Sequence, residues 1–94
     1  MNLEGISIVI ASKGRVKLLE ELLVSVKEAR ENFNGPTEVL LIDDSNEKDV
    51  KRIERICETL DVTRIPFGPS VPEKRNVGAR AAKYDIVLFL DSDC

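Results

Sequence analysis

Histidine and tryptophan are missing from this chain, and its aromatic side chains are limited to three phenylalanines and one tyrosine. With no histidine and only two cysteines, a Cys/His zinc site is excluded on ligand count. A disulfide between Cys57 and Cys94 has no support in the sequence. Cys57 falls on the apolar stripe of an expected helix, as a small core residue does, and Cys94 is terminal. Charge of one sign is also missing: 14 basic against 17 acidic side chains leave a net charge of −3. That argues against the basic surface of a general nucleic-acid binder. No apolar run approaches the roughly 20 residues needed to span a bilayer. The opening M-N-L-E-G lacks the basic start and apolar core of a signal peptide, so the expected location is cytoplasmic. Neither G-x-x-x-x-G-K-[ST] nor G-x-G-x-x-G occurs, which removes the P-loop and the dinucleotide turn. No internal repeat or low-complexity segment is present. The 94 residues suffice for one domain with a modest core.

The most informative stretch that is present is D-I-V-L-F-L-D-S-D-C, residues 85–94. Its five consecutive apolar residues, 86–90, read as a buried strand. Asp91 and Asp93 follow it one residue apart. Buried charge is costly unless it is paired or metal-bound. Two hard oxygen donors at a strand end suit Mg²⁺ or Mn²⁺, and such an ion suits a phosphate. The plainer reading is a solvated strand terminus.

Upstream, the β-branched run at 6–11 reads as a first strand. From Val16 the apolar positions Leu18, Leu19, Leu22, Leu23, Val26 and Ala29 have helical spacing. Asn34-Gly35-Pro36 makes a turn. Residues 38–42 form an expected second strand, followed by Asp43-Asp44-Ser45-Asn46. Val50, Ile53, Ile56, Cys57 and Leu60 mark a second helix, which Ser45 or Asn46 is placed to cap. Residues 62–65 read as a short third strand and Pro66-Phe67-Gly68-Pro69 as a loop. Ser70-x-x-Glu73 has the spacing of a capping box, with Pro72 in the first turn. The helix it opens is basic, with Lys74, Arg75, Arg80 and Lys83.

This alternation implies an α/β fold, a Rossmann-like parallel sheet of about four strands with helices on both faces. In such sheets ligands bind beyond the carboxyl ends of the strands. The polar clusters obey this rule. Ser12-Lys13-Gly14-Arg15 follows strand one, Asp43-Asp44 strand two, the Pro/Gly loop strand three, and Asp91 and Asp93 strand four. Asp43 and Asp44 suit the hydroxyls or base N–H of a nucleoside, or else a turn and a helix cap. Arg75 stands near a helix start, where phosphate is favoured. Lys74 and Arg80 read as a solvated helix face. Ser12 to Arg15 suits backbone contact with a base, and equally an ordinary turn.

In this order the pieces resemble the amino-terminal half of family 2 glycosyltransferases with the GT-A fold. The segments that carry the resemblance are I-S-I-V-I-A-S-K-G-R, E-V-L-L-I-D-D-S-N and R-N-V-G-A-R-A-A-K-Y-D-I-V-L-F-L-D-S-D, spanning nearly the whole chain. The resemblance implies that Ala11, Ser12, Arg15, Asp43 and Asp44 hold the nucleoside of a UDP-, GDP- or dTDP-sugar. It places the family's arginine-asparagine pair on Arg75-Asn76 and its metal-binding D-x-D, for Mn²⁺ or Mg²⁺, on Asp91 and Asp93, with Asp91 also beside the nucleotide. The chain departs from the family at Ala11, often a threonine, and near Lys13, often an aromatic residue. The family's acceptor site and base carboxylate lie beyond the D-x-D, so no catalytic base is assigned here. The implied reaction is inverting transfer of a sugar to an acceptor hydroxyl, with residues 1–94 as the donor-binding half-domain, inactive alone.

Two other readings remain. A haloacid-dehalogenase-like phosphatase also ends an apolar strand in D-x-D, but expects threonine where Cys94 stands. A non-catalytic module that keeps the half-fold is the other. The expected strand order 3-2-1-4 leaves the fourth strand, apolar on both faces, at an edge, which invites self-association.

Overall fold

The apolar runs at 6–11 and 38–42, rich in β-branched residues and leucine, form the centre of a sheet. The structure is a computed structural model that describes residues 5–91. Strands and helices alternate throughout: β1 (Ile6–Ser12), α1 (Val16–Glu31), β2 (Thr37–Asp43), α2 (Glu47–Leu60), β3 (Thr63–Pro66), α3 (Val71–Ala81) and β4 (Ile86–Asp91). The strands are parallel in the order β3-β2-β1-β4, the order expected from the sequence. Element ends differ from the sequence reading by a residue or two. The expected third strand loses Val62, whose N–H instead closes α2 on the Cys57 carbonyl.

The pleat sends alternate side chains to opposite faces. Ile8, Ile10, Val39 and Leu41 meet Val16, Leu19, Leu23 and Val26 of α1, and Ile53 and Cys57 of α2. On the other face Val9, Leu40 and Ile42 meet Ile65, Val77, Ala82 and Val87 under α3. Gly78 lets α3 approach closely, because a Cβ there would run into Cγ1 of Val9. Cys57 is the core residue its spacing implied. Burial pushes its thiol up to about 11, so it stays protonated and unreactive near neutral pH.

The cap expected of Ser45 or Asn46 takes another form. Asn46 occupies the N-cap of α2 without a side-chain cap bond, and the Ser45 hydroxyl is used at the rim described below. Ser70 does cap α3, accepting from the Glu73 N–H. β4 lies at the edge, and its Ile86, Leu88 and Phe89 are 54%, 49% and 42% exposed. No helix among the described residues is long and apolar enough to cross a membrane.

Candidate functional site

The carboxyl ends of the strands bring the expected site residues to one rim, and the pleat then divides them. Val9 faces α3, so Ala11 does also, while Ser12 follows Ile8 and Ile10 toward α1 and α2. The register sets Ser12 beside Asp43, and Ala11 between Ile42 and Asp91.

On the α1–α2 side Asp43 is 1% exposed and fully engaged. Its Oδ1 accepts from the hydroxyls of Ser12 (2.5 Å) and Ser45 (2.7 Å). Its Oδ2 accepts from the Ser45 N–H (3.1 Å) and from Nε (3.1 Å) and Nη2 (3.0 Å) of Arg64. Burial alone would raise the pKa of this carboxyl. The hydrogen bonds from Ser12, Ser45 and Arg64 outweigh it and hold the group below its ordinary value. Asp43 and the Ser12 hydroxyl, both expected beside a nucleoside, have partners within the chain. The Ser45 hydroxyl in turn accepts from the Gly14 N–H (2.8 Å). That bond fixes the turn between β1 and α1, where Gly14 and Arg15 both have positive φ, 66° and 51°. A side chain at such a φ is strained. Arg15 itself is exposed.

On the α3 side stand Asp44, Ala11 and Asp91. Asp44 donates its N–H to the Ser12 carbonyl (3.1 Å) and pairs with Lys13 at 3.9 Å. Its carboxyl packs against Gly68, where any Cβ would strike it. The loop after β3 therefore needs glycine at that point. Asp91 accepts from Nη2 of Arg75 at 2.7 Å through Oδ2, while its Oδ1 is buried with no partner among the described residues. An unsatisfied buried carboxylate oxygen at a strand end fits one ligand position of a hard cation. Asp93, the expected second ligand, lies outside the described residues, and within them no three His, Cys, Asp or Glu side chains group as a metal site. Asn76 is exposed beside Arg75. A cleft of about 170 Å³ opens between the end of β1 and the first turn of α3, lined by Ala11, Ser12, Lys13, Pro69, Val71 and Lys74.

Lys74 overturns its expectation. It is buried, not solvated, and its Nζ donates to the Ser12 carbonyl at 2.9 Å. Its helical position faces the sheet together with Gly78, one turn on, a spacing that sequence alone offered as a signal. Arg64 was also missed. An arginine inside the strand V-T-R-I is a hint that a buried carboxylate waits nearby, since arginine is rarely buried unpaired.

Residues 7–94 match the family model described as "Glycosyl transferase family 2". Chondroitin synthase of Escherichia coli is 33% identical over 95 residues, which cover 97% of this chain and 14% of that protein. Chondroitin synthase of Pasteurella multocida is 31% identical over 93 residues, covering 95% of this chain and 9% of that protein. The chain thus spans a small part of the length of these curated relatives. Among solved structures, Staphylococcus aureus TarS 1–349 superposes with a TM-score of 0.74 at 25% identity, over 95% of this chain and 27% of that one.

Asp43→Asn is expected to lower stability at pH 7 by roughly 2 kcal/mol, since it removes the nearer counter-charge of the part-buried Arg64 and leaves it only Glu54 at 3.9 Å. Because the folded pKa is depressed, this stability is fully present above the ordinary carboxylate value of 3.8 and is lost as pH falls below it through the folded pKa. Urea unfolding followed from pH 7 down to pH 2 checks both points. The wild type should weaken on the acid side and the variant should show a flatter profile there. A variant as stable as the wild type would remove the structural role.

Proposed function

Because the chain belongs to glycosyl transferase family 2, we propose that it is the nucleotide-sugar-binding half of an inverting glycosyltransferase. The observation that carries this reading is the sharing of one face. Asp44 at the end of β2 and Asp91 at the end of β4 flank Ala11 at the end of β1, beside an open cleft. A UDP-, GDP- or dTDP-sugar would lie along this face. Asp44 and the Ala11 backbone would hold the nucleoside, with Arg15 at the margin. A strained φ retained by a residue other than glycine is a mark of use for its side chain.

The diphosphate would then point toward Asp91. With Oδ2 held by Arg75, Oδ1 of Asp91 is free to ligate Mn²⁺ or Mg²⁺ together with Asp93. The cation, when bound, neutralises charge on the departing nucleoside diphosphate. Arg75 adds a fixed guanidinium beside it, with Asn76 as a polar neighbour. Asp43 serves as scaffold: it orients the β1 and β2 ends without touching the ligand. The attack of an acceptor hydroxyl on the anomeric carbon needs a base. Neither acid at the end of β2 is suited to that task, Asp43 being buried and Asp44 being turned to the nucleoside. The chain alone should therefore bind a nucleotide and transfer no sugar. The phosphatase reading falls with the family assignment.

A second proposal concerns the isolated chain. β4 is an edge strand, apolar on both faces and half exposed, and an unpaired backbone row of this kind pairs readily with another. Two copies would pair through β4.

Two measurements check these proposals. Calorimetric titration with UDP, GDP and dTDP, each with and without Mn²⁺, should reveal one nucleotide whose binding needs the ion. Asp91→Asn with Asp93→Asn should lose the ion dependence, and sugar transfer by the 94-residue chain would contradict the division of labour. In sedimentation at high concentration the chain should form dimers or larger species, and Leu88→Lys should return it to a monomer. A wild-type monomer at every concentration would remove the β4 contact.

A further inference from the structure

Lys74 is 2% exposed and the largest of the fully buried side chains. A lysine is almost never buried without a counter-charge, because desolvating an ammonium is costly. No ion pair among the described residues includes it. The acids of its face are taken: Asp44 pairs with Lys13, and Asp91 with Arg75. Of the three protons on Nζ, one goes to the Ser12 carbonyl, which also accepts the Asp44 N–H. The ammonium therefore ties α3 to the ends of β1 and β2 at a single oxygen, and its charge has no counter-ion among the described residues.

That charge lines the cleft between β1 and α3. Two lysines, Lys13 and Lys74, line it, and no acid among the described residues does. Its remaining wall includes Val71, the first residue of α3; the helix start itself offers little to an anion, since Pro72 has no N–H and those of Glu73 and Lys74 go to Ser70. A volume of about 170 Å³ admits a phosphate group. The strand order supplies the rest. β1 lies between β2, which carries Asp44, and β4, which carries Asp91. A nucleotide laid from one acid to the other must cross the end of β1, and its phosphates are the part that lies between nucleoside and metal.

We infer that Lys74 is a phosphate-binding residue: its buried ammonium, in the cleft between the end of β1 and the first turn of α3, meets the diphosphate of the bound nucleotide. This rests on the donor-binding reading above, yet an anion site here can stand or fall separately. The probe for that is inorganic pyrophosphate without metal, titrated by calorimetry into the wild type, Lys74→Met and Lys83→Met. Lys83 is exposed, so its variant controls for net charge.

Lys74→Met should bind pyrophosphate about tenfold more weakly or worse, as expected for loss of one charge-assisted hydrogen bond. Lys83→Met should bind like the wild type. The nucleoside alone should bind the wild type and Lys74→Met alike, a split that a merely structural lysine would not produce. Should Lys74→Met fail to fold, the wild type still decides the matter. Pyrophosphate should move the amide resonances of Ser12, Lys13 and Lys74, and unmoved resonances would overturn the inference. Pyrophosphate affinity unchanged in a folded Lys74→Met would overturn it too. Pyrophosphate binding that depends on Lys74, with no nucleoside diphosphate bound, would keep the anion site and reject the donor reading.

Discussion

The buried carboxylate of Asp43 holds the carboxyl rim of the sheet together. Ser12 reaches it from β1, Arg64 from β3, and Ser45 from the start of the β2–α2 connection. Through the Ser45 hydroxyl the same network extends to Gly14 and so to the turn that opens α1. A carboxylate removed from water must find this many donors, since each lone pair left unmet would cost stability. Once they are found, the ends of three strands and one connecting turn have fixed positions. On the proposed reading, the α3 side of the rim is then the one that faces the ligand and carries charge with fewer internal partners.

Strand alternation produces this division of labour from a chain segment two residues long. Asp43 and Asp44 are neighbours in sequence, yet one turns toward α1 and α2 and the other toward Gly68 and α3. The same alternation separates Ser12 from Ala11. On the α3 side, among the described residues, two groups are left short of partners: the Oδ1 of Asp91, whose other oxygen is held by Arg75, and the ammonium of Lys74, which has one hydrogen bond and no ion pair. Groups of this kind are what the proposed binding of a charged ligand and a cation would call on.

The fold was legible because its signals are long and redundant. Three apolar strand runs, a short fourth strand, two helical periodicities and a capping box all point to one parallel sheet, with the order 3-2-1-4 expected of that topology. The rim was legible as a location, because ligands collect at the carboxyl ends of parallel strands. What the sequence left hidden is which residues at that rim face which way. Two adjacent aspartates look equivalent until the partner across the sheet, Arg64, is known, and that contact joins residues 21 apart. Lys74 looked like one more charge on a basic helix. Its burial depends on how far α3 sinks onto β1 at Gly78, a packing distance that periodicity does not encode. The local pattern offers either Ser45 or Asn46 as the cap of α2. A buried carboxylate two residues away offered the Ser45 hydroxyl a stronger partner.

The central claim is that the α3 face of the rim binds the nucleotide while the α1–α2 face only supports it. A crystal structure of the chain with a nucleoside diphosphate and Mn²⁺ tests this most directly. The account predicts a ligand lying along Asp44, Ala11 and Asp91, with the Asp43 network unchanged beneath it. A ligand seated against Ser45 and Arg64, with Asp43 released to meet it, would contradict the account.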